Sequence, residues 1–173
     1  QSEMNEYFRP NFFTNTPDIL PPVLQKGGRP AFQIRLLLAA TLSPSFGIYS
    51  GYELCENEAI PGTEEYADSE KYRIKIRDWN CSGNIKGFIA SVNKARRENR
   101  SLQTLTPLTF LAIDNDQMIA YAKRTPHRDN IIIVVVTLDP HQPQQGVVDL
   151  SLVKMGEMHD TTVYLHDLFT GIR

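Results

Sequence analysis

Phe8-Arg9-Pro10-Asn11-Phe12-Phe13-Thr14-Asn15-Thr16-Pro17-Asp18-Ile19-Leu20 is the stretch on which the reading of this chain turns. It opens as a short apolar strand, Phe12-Phe13 behind Pro10, expected to be buried. It ends as a polar turn. There Pro17 and the Pro21-Pro22 pair fix φ and remove backbone donors, so the sheet cannot continue. Asp18 is thereby presented just beyond a strand end. On spacing alone two readings of this carboxylate stay open. It is a reactive group at the rim of a sheet, or a turn residue that hydrogen-bonds its own backbone.

Working outward, Gly27-Gly28 closes the loop. The run from Arg29 to about Thr41, Ala31-Phe32-Gln33-Ile34-Arg35-Leu36-Leu37-Leu38-Ala39-Ala40 at its centre, has helical length and is apolar nearly all round. Such a helix is expected to be covered on most sides. Pro44 stops it, and Gly47-Ile48-Tyr49-Ser50 is β-prone and leads into Gly51-Tyr52-Glu53-Leu54. A strand, a covered helix and a second strand make a βαβ unit with parallel strands. A carboxylate at the C-terminal end of such a strand is where a β/α barrel carries its chemistry.

Residues 56–82 form a polar excursion rich in Glu, Asp, Lys and Tyr, long enough to point to function. Asn84 to about Asn99 reads as a second helix. Ile85, Phe88, Ile89, Val92 and Ala95 lie on one stripe, and Lys94-Ala95-Arg96-Arg97 suits the negative end of the helix dipole. Past a boundary near 100–107 the period becomes that of strands: 109–113, 118–124 and 131–138, with weaker strands at 147–150 and 162–167. Turn-rich connections make that sheet antiparallel. The β-branched run Ile131-Ile132-Ile133-Val134-Val135-Val136 is expected to be buried on both faces.

The 173 residues fall short of the about 250 that a whole (β/α)8 barrel needs, so a complete barrel with an appended domain is excluded. A net charge of −2 gives no electrostatic footprint for nucleic acid. Apolar runs are too short to span a bilayer, and the polar first residues lack a signal-peptide core. The start at Gln1 reads as a trimmed polypeptide. Cys55 and Cys81 read as free cytoplasmic thiols. His127, His141, His159 and His166 have no metal-ligand spacing. Asp114-Asn115-Asp116 reads as a hairpin turn rather than a calcium loop, which needs further ligands. Gly27-Gly28 could hold an anion at a helix start, but forms no nucleotide loop.

The block Phe12-Phe13-Thr14-Asn15-Thr16-Pro17-Asp18 resembles the fourth conserved region of the α-amylase superfamily, glycoside hydrolase family 13. Thr16-Pro17 stands where that family usually has a single His. Asn-Thr-Pro-Asp is instead the form of its maltosyltransferase branch, in bacterial α-glucan (glycogen) synthesis. Gly27-Gly28-Arg29-Pro30-Ala31-Phe32, Ala39-Ala40-Thr41-Leu42-Ser43-Pro44 and Gly47-Ile48-Tyr49-Ser50-Gly51-Tyr52-Glu53-Leu54 match the same branch. So do Ser69-Glu70-Lys71-Tyr72, Arg77-Asp78-Trp79, Arg96-Arg97-Glu98-Asn99 and Tyr164-Leu165-His166-Asp167-Leu168.

The resemblance implies that residues 1–106 are the C-terminal portion of a TIM barrel, its last two strands and helices. Residues 107–173 would be an incomplete all-β domain, an antiparallel β-sandwich. It implies transfer of maltosyl from maltose 1-phosphate to the non-reducing ends of α-1,4-glucans, without metal or organic cofactor, in the bacterial cytoplasm. Retaining enzymes of this kind need a nucleophile and a general acid about 5–5.5 Å apart. The motifs of both are missing from this chain. Asp18 takes the third role, transition-state stabiliser. Lys71 and Tyr72 fall in the maltosyl-binding donor site, although by residue type alone they equally make a solvated loop. Asn15 either orients the sugar or satisfies the loop backbone. Glu53 faces the same end or forms a structural salt bridge.

Two other functions stay open: an α-amylase-like hydrolase fragment, and a non-catalytic module binding glucan or a partner through its sheet. The isolated chain is expected to be inactive. It is also expected to expose apolar surface on the Arg29–Thr41 helix and unpaired sheet edges, and to self-associate there as a homo-oligomer.

Overall fold

The computed structural model describes residues 3–70, 74–153 and 164–172. Its elements are β1 (Asn11–Phe13), α1 (Pro22–Lys26), α2 (Gly28–Leu42), β2 (Ser45–Gly47), α3 (Lys86–Glu98), β3 (Leu108–Leu111), β4 (Met118–Arg124) and β5 (Ile131–Thr137). Single 3-10 turns lie at Tyr52–Leu54 and Arg100–Gln103. The whole is an α+β arrangement of two sheets.

β1 and β2 pair in parallel, Phe12 opposite Phe46, with α1 and α2 between them, as the βαβ reading expects. The second strand ends at Gly47, so Ile48-Tyr49-Ser50 is the loop beyond it rather than strand. Phe12 and Phe13 are exposed rather than buried, in a sheet of only two strands where β1 has a partner on one side alone.

α2 is covered on two sides, which explains its apolar circumference. Ala31, Phe32, Leu36 and Ala40 pack with Leu20, Leu24, Tyr52, Ile85 and Val92 in one core. Ile34, Leu37, Leu38 and Leu42 pack on Tyr121, Val134 and Val136 in another. The expected exposed apolar face of this helix is therefore absent, since the antiparallel sheet lies against it. Gly27 sits where a Cβ would come within 2.6 Å of Ala31 Cβ and 3.0 Å of Pro140 Cγ. Close packing of two chain segments is thus what its missing side chain serves.

α3 carries the expected stripe, with Ile85, Val92 and Ala95 buried. Its Arg96 closes the far end of α2: the guanidinium donates to the carbonyls of Ala40, Ser43 (3.0 Å) and Pro44 (2.7 Å) and lies over the Phe46 ring. The Ala40 carbonyl is among the last four of α2, which a helix end leaves without intrahelical donors, and Ser43 and Pro44 directly follow the helix.

The second sheet has the order β3-β4-β5, antiparallel throughout. Alternation sends Phe110, Ile119, Tyr121, Lys123, Ile132, Val134 and Val136 to the α2 face. It sends Leu111, Ala120, Ala122, Ile131 and Ile133 to the other, against Val148, Leu150 and Val153. The strand buried on both faces is β4, not β5: β5 is an edge and leaves Val135 exposed. The 147–150 segment contributes one bridge, Ile113 to Val148, and no strand. Tyr164–Asp167 has no regular structure; the first two residues of that expected strand, 162–163, lie outside the described residues. Asp114–Asp116 lies in the β3–β4 connection, where Asn115 accepts from the Gln117 N–H at 2.8 Å. Among the described residues no helix is long and apolar enough to cross a membrane.

Candidate functional site

Because β1 and β2 run the same way, their C-terminal ends release two loops side by side, the position where open parallel sheets hold ligands. The loop after β1 begins with Thr14, whose N–H donates to Gly47 O at 3.0 Å. It then folds into a two-residue turn, with reciprocal backbone hydrogen bonds between Thr16 and Ile19, both 3.1 Å. Pro17 and Asp18 are the two central residues. Proline there sets φ in advance. Asp18 is exposed on this turn.

Asn15 is the hinge of the site and is buried. Its Oδ1 accepts from the Tyr49 N–H at 2.9 Å and the Thr14 hydroxyl at 3.0 Å, while its Nδ2 donates to Tyr66 Oη at 2.6 Å. One side chain thus ties the loop after β1 to the loop after β2 and to the long excursion. Tyr49 and Tyr66 stack edge to face, with ring centroids 5.6 Å apart. Burial pushes the Tyr66 phenol up to about 12, so it stays protonated. Tyr49 Oη accepts from the Glu70 N–H at 2.7 Å.

The excursion itself is fastened by charge. Arg77, nearly buried, donates to Glu56 Oε1 at 2.9 Å and to Ser50 O at 3.1 Å, and pairs with Glu70 Oε2 at 2.9 Å. Lys75 adds a 3.0 Å pair to Glu56, and Trp79 lies against the Arg77 guanidinium. The two carboxylates hold the guanidinium well above its ordinary value, against a burial that works the other way.

Of the residues singled out by sequence, Asn15 and Asp18 come together at one end of the parallel pair. Lys71 and Tyr72 lie outside the described residues, directly after Glu70 in the chain. The Glu53 carboxylate accepts from the Gly51 N–H at 3.1 Å, a contact within its own turn. Tyr49, Tyr66 and Arg77 were missed. The available signal was slight: Tyr66 is an aromatic in a polar, charged stretch, whereas Tyr49 follows a β-prone segment and Arg77 is one of several basic residues in the excursion. Among the described residues no cluster of His, Cys, Asp and Glu could hold a metal ion. In the antiparallel sheet Tyr121 is core, and Phe110 is the exposed aromatic among the described residues.

Comparison with known proteins shows what the chain is similar to. Residues 110–173 match the family described as GLGE, C-terminal. The chain is 56% identical over 168 residues to the alpha-1,4-glucan:maltose-1-phosphate maltosyltransferase of Rhodospirillum rubrum, covering 97% of this chain and 24% of that protein. It is 49% identical to maltosyltransferase 2 of Streptomyces coelicolor, covering 98% and 26%, and 43% identical to the Myxococcus xanthus enzyme, covering 100% and 26%. The chain spans about a quarter of the length of the curated relatives it matches. Over nearly its whole length the chain is therefore similar to proteins named alpha-1,4-glucan:maltose-1-phosphate maltosyltransferase.

Proposed function

We propose that this chain supplies one part of a retaining maltosyltransferase acting on maltose 1-phosphate and α-1,4-glucan. Residues 1–106 form the last two strands and helices of its (β/α)8 barrel, and 107–173 part of a β-sandwich that follows. The observation that carries this reading is the Thr16–Ile19 turn. It holds Asp18 beyond the C-terminal ends of a parallel pair, in a chain 42–56% identical to proteins of that name.

In this reading a nucleophilic carboxylate outside the chain attacks the anomeric carbon, the bond to the phosphate oxygen breaks, and phosphate leaves. The terminal 4-hydroxyl of a glucan then attacks the anomeric carbon of the glycosyl–enzyme ester, the bond to the nucleophile breaks and frees its carboxylate, and the acid/base group, having given its proton to the departing phosphate, takes the hydroxyl proton. Asp18 binds hydroxyls of the distorted sugar and favours the oxocarbenium-like transition state. Lys71 and Tyr72 bind the maltosyl unit, and Asn15 serves the sugar site from beneath the turn. No cofactor takes part, and the cytoplasm is the compartment. The apolar surface of Phe12 and Phe13 supports self-association of the isolated chain.

The test is phosphate release from maltose 1-phosphate with a glucan acceptor. In a polypeptide of the relatives' full length, Asp18→Asn should lower kcat by about 10²–10³-fold, the usual loss for one electrostatic stabiliser. The 173-residue chain alone should release phosphate no faster than buffer. Transfer by that chain, or an unchanged kcat in Asp18→Asn, overturns the proposal.

A further inference from the structure

The Asp18 turn is held at both ends by the same short piece of the excursion. On its N-terminal side Asn15 donates to Tyr66 Oη at 2.6 Å, while Arg35 Nε donates to Thr14 O. On its C-terminal side the buried Leu20 donates its N–H to Glu64 O at 2.5 Å. Gln25 Nε2 spans Leu20 O (2.8 Å) and Thr63 O (3.1 Å). Residues 58–67 are closed upon themselves: Ala67 N–H donates to Glu58 O at 3.0 Å, Ile60 N–H to Glu65 O at 2.8 Å, and Ala59 bridges Tyr66. A small closed loop thus grips the turn that carries Asp18.

From this grip we propose that Tyr66 is a positioning residue for Asp18, acting through Asn15 on the Thr16–Ile19 turn. The proposal rests on the catalytic reading of Asp18 given above. Tyr66 is suited to the task because its buried ring has few rotamers and is braced edge-on by Tyr49. Its hydroxyl is the acceptor that fixes the Asn15 amide. Without it, Asn15 is free to rotate away from the Tyr49 N–H as well, and the two loops lose their common tie. A displacement of about 1 Å at a reacting centre costs on the order of 100-fold in rate. Substrate binding made by other groups is untouched.

The experiment compares three variants of the full-length polypeptide, each assayed well below its melting temperature. In Tyr66→Phe, kcat should fall by about 10–100-fold, with KM for maltose 1-phosphate changed by no more than about threefold. Tyr121→Phe also removes one buried phenol hydroxyl, but from the interface of α2 with β4. It should lower the melting temperature comparably and leave kcat unchanged. Asp18→Asn monitors the underlying reading. If Asp18→Asn lowers kcat by about 10²–10³-fold while Tyr66→Phe matches Tyr121→Phe in kcat, the positioning role is wrong and the catalytic reading stands. A raised KM with unchanged kcat in Tyr66→Phe also overturns it. An unchanged kcat in Asp18→Asn removes the catalytic reading itself, and the proposal with it.

Discussion

Thr41 Oγ1 and Tyr121 Oη lie 2.5 Å apart, a buried hydroxyl pair that joins the last turn of α2 to the middle of β4. Thr41 Oγ1 also donates to Leu37 O at 2.6 Å, so Tyr121 is the partner that donates to Thr41. Burial pushes the Tyr121 phenol up to about 12, which keeps this donor protonated. Tyr121→Phe keeps the ring and its edge contact with Phe110 and removes only the hydroxyl. The expected cost is about 1 kcal/mol, the net worth of one neutral hydrogen bond. Urea unfolding measures it, and a change below a few tenths would show that the pair does not hold the interface.

Lys123 is fully buried on the α2 face of β4, and its ammonium donates to Thr104 O at 2.5 Å. Burial, helped by the nearby Arg96, lowers its pKa from 10.5 to about 8. In the unfolded chain the amine stays charged up to 10.5, so between about pH 8 and 10.5 the unfolded state binds more protons. Stability from this group therefore rises with pH across that window, by up to about 3 kcal/mol. The Cys55 thiol, pushed up to about 11 by burial, works in the opposite sense above its ordinary value of 9.0. The readout is accordingly the difference between the wild type and Lys123→Met, from urea melts at a series of pH values. Parallel pH curves for the two proteins would rule the assignment out.

Arg96 gives a second test of how the helices are joined. Its planar fork serves three carbonyls at the end of α2, and its face covers Phe46. Lysine presents a point charge and cannot serve that set or stack on the ring. Arg96→Lys should destabilise by about 2–4 kcal/mol, because carbonyls at a part-buried helix end lose charged donors. Equal melting of the variant and the wild type would refute the capping role.

The parallel unit was legible because its information is local. The apolar circumference of α2, Pro44 after it and the prolines after Phe13 each act within a few residues. The burial of β4 over β5 was not. The β-branched run of β5 has the stronger strand composition, but sheet order decides which strand is covered twice, and β4 contains Lys123 and Tyr121, whose polar ends find partners on α2 and at Thr104. Asp18 was singled out from the turn it sits in, and Asn15 from the matched block around it. Tyr66 escaped because its bond to Asn15 joins residues 51 positions apart, and no periodicity in the chain records it. Glu56 and Arg77 escaped likewise: in a stretch so rich in charge, which pair is desolvated is settled by tertiary packing.

That ion pair supplies the last prediction. Arg77 is 3% exposed in its side chain and bridges Glu56 and Glu70, which brackets the segment between them. A surface pair would contribute little, but a nearly buried guanidinium on two carboxylates holds the excursion against the Ser50 loop. Among the described residues, Arg77→Gln leaves Glu56 paired with Lys75 and removes the ion-pair partner of Glu70. Because Tyr49 still holds the Glu70 N–H, the change is expected to loosen the excursion without unfolding the parallel pair. Limited proteolysis should then cut within residues 56–82 about tenfold faster in the variant, which corresponds to about 1.4 kcal/mol of local opening free energy. The melting of α2 and the sheets should shift far less. A cleavage rate equal to that of the wild type would show that the tyrosine network, and not the ion pair, keeps the excursion closed.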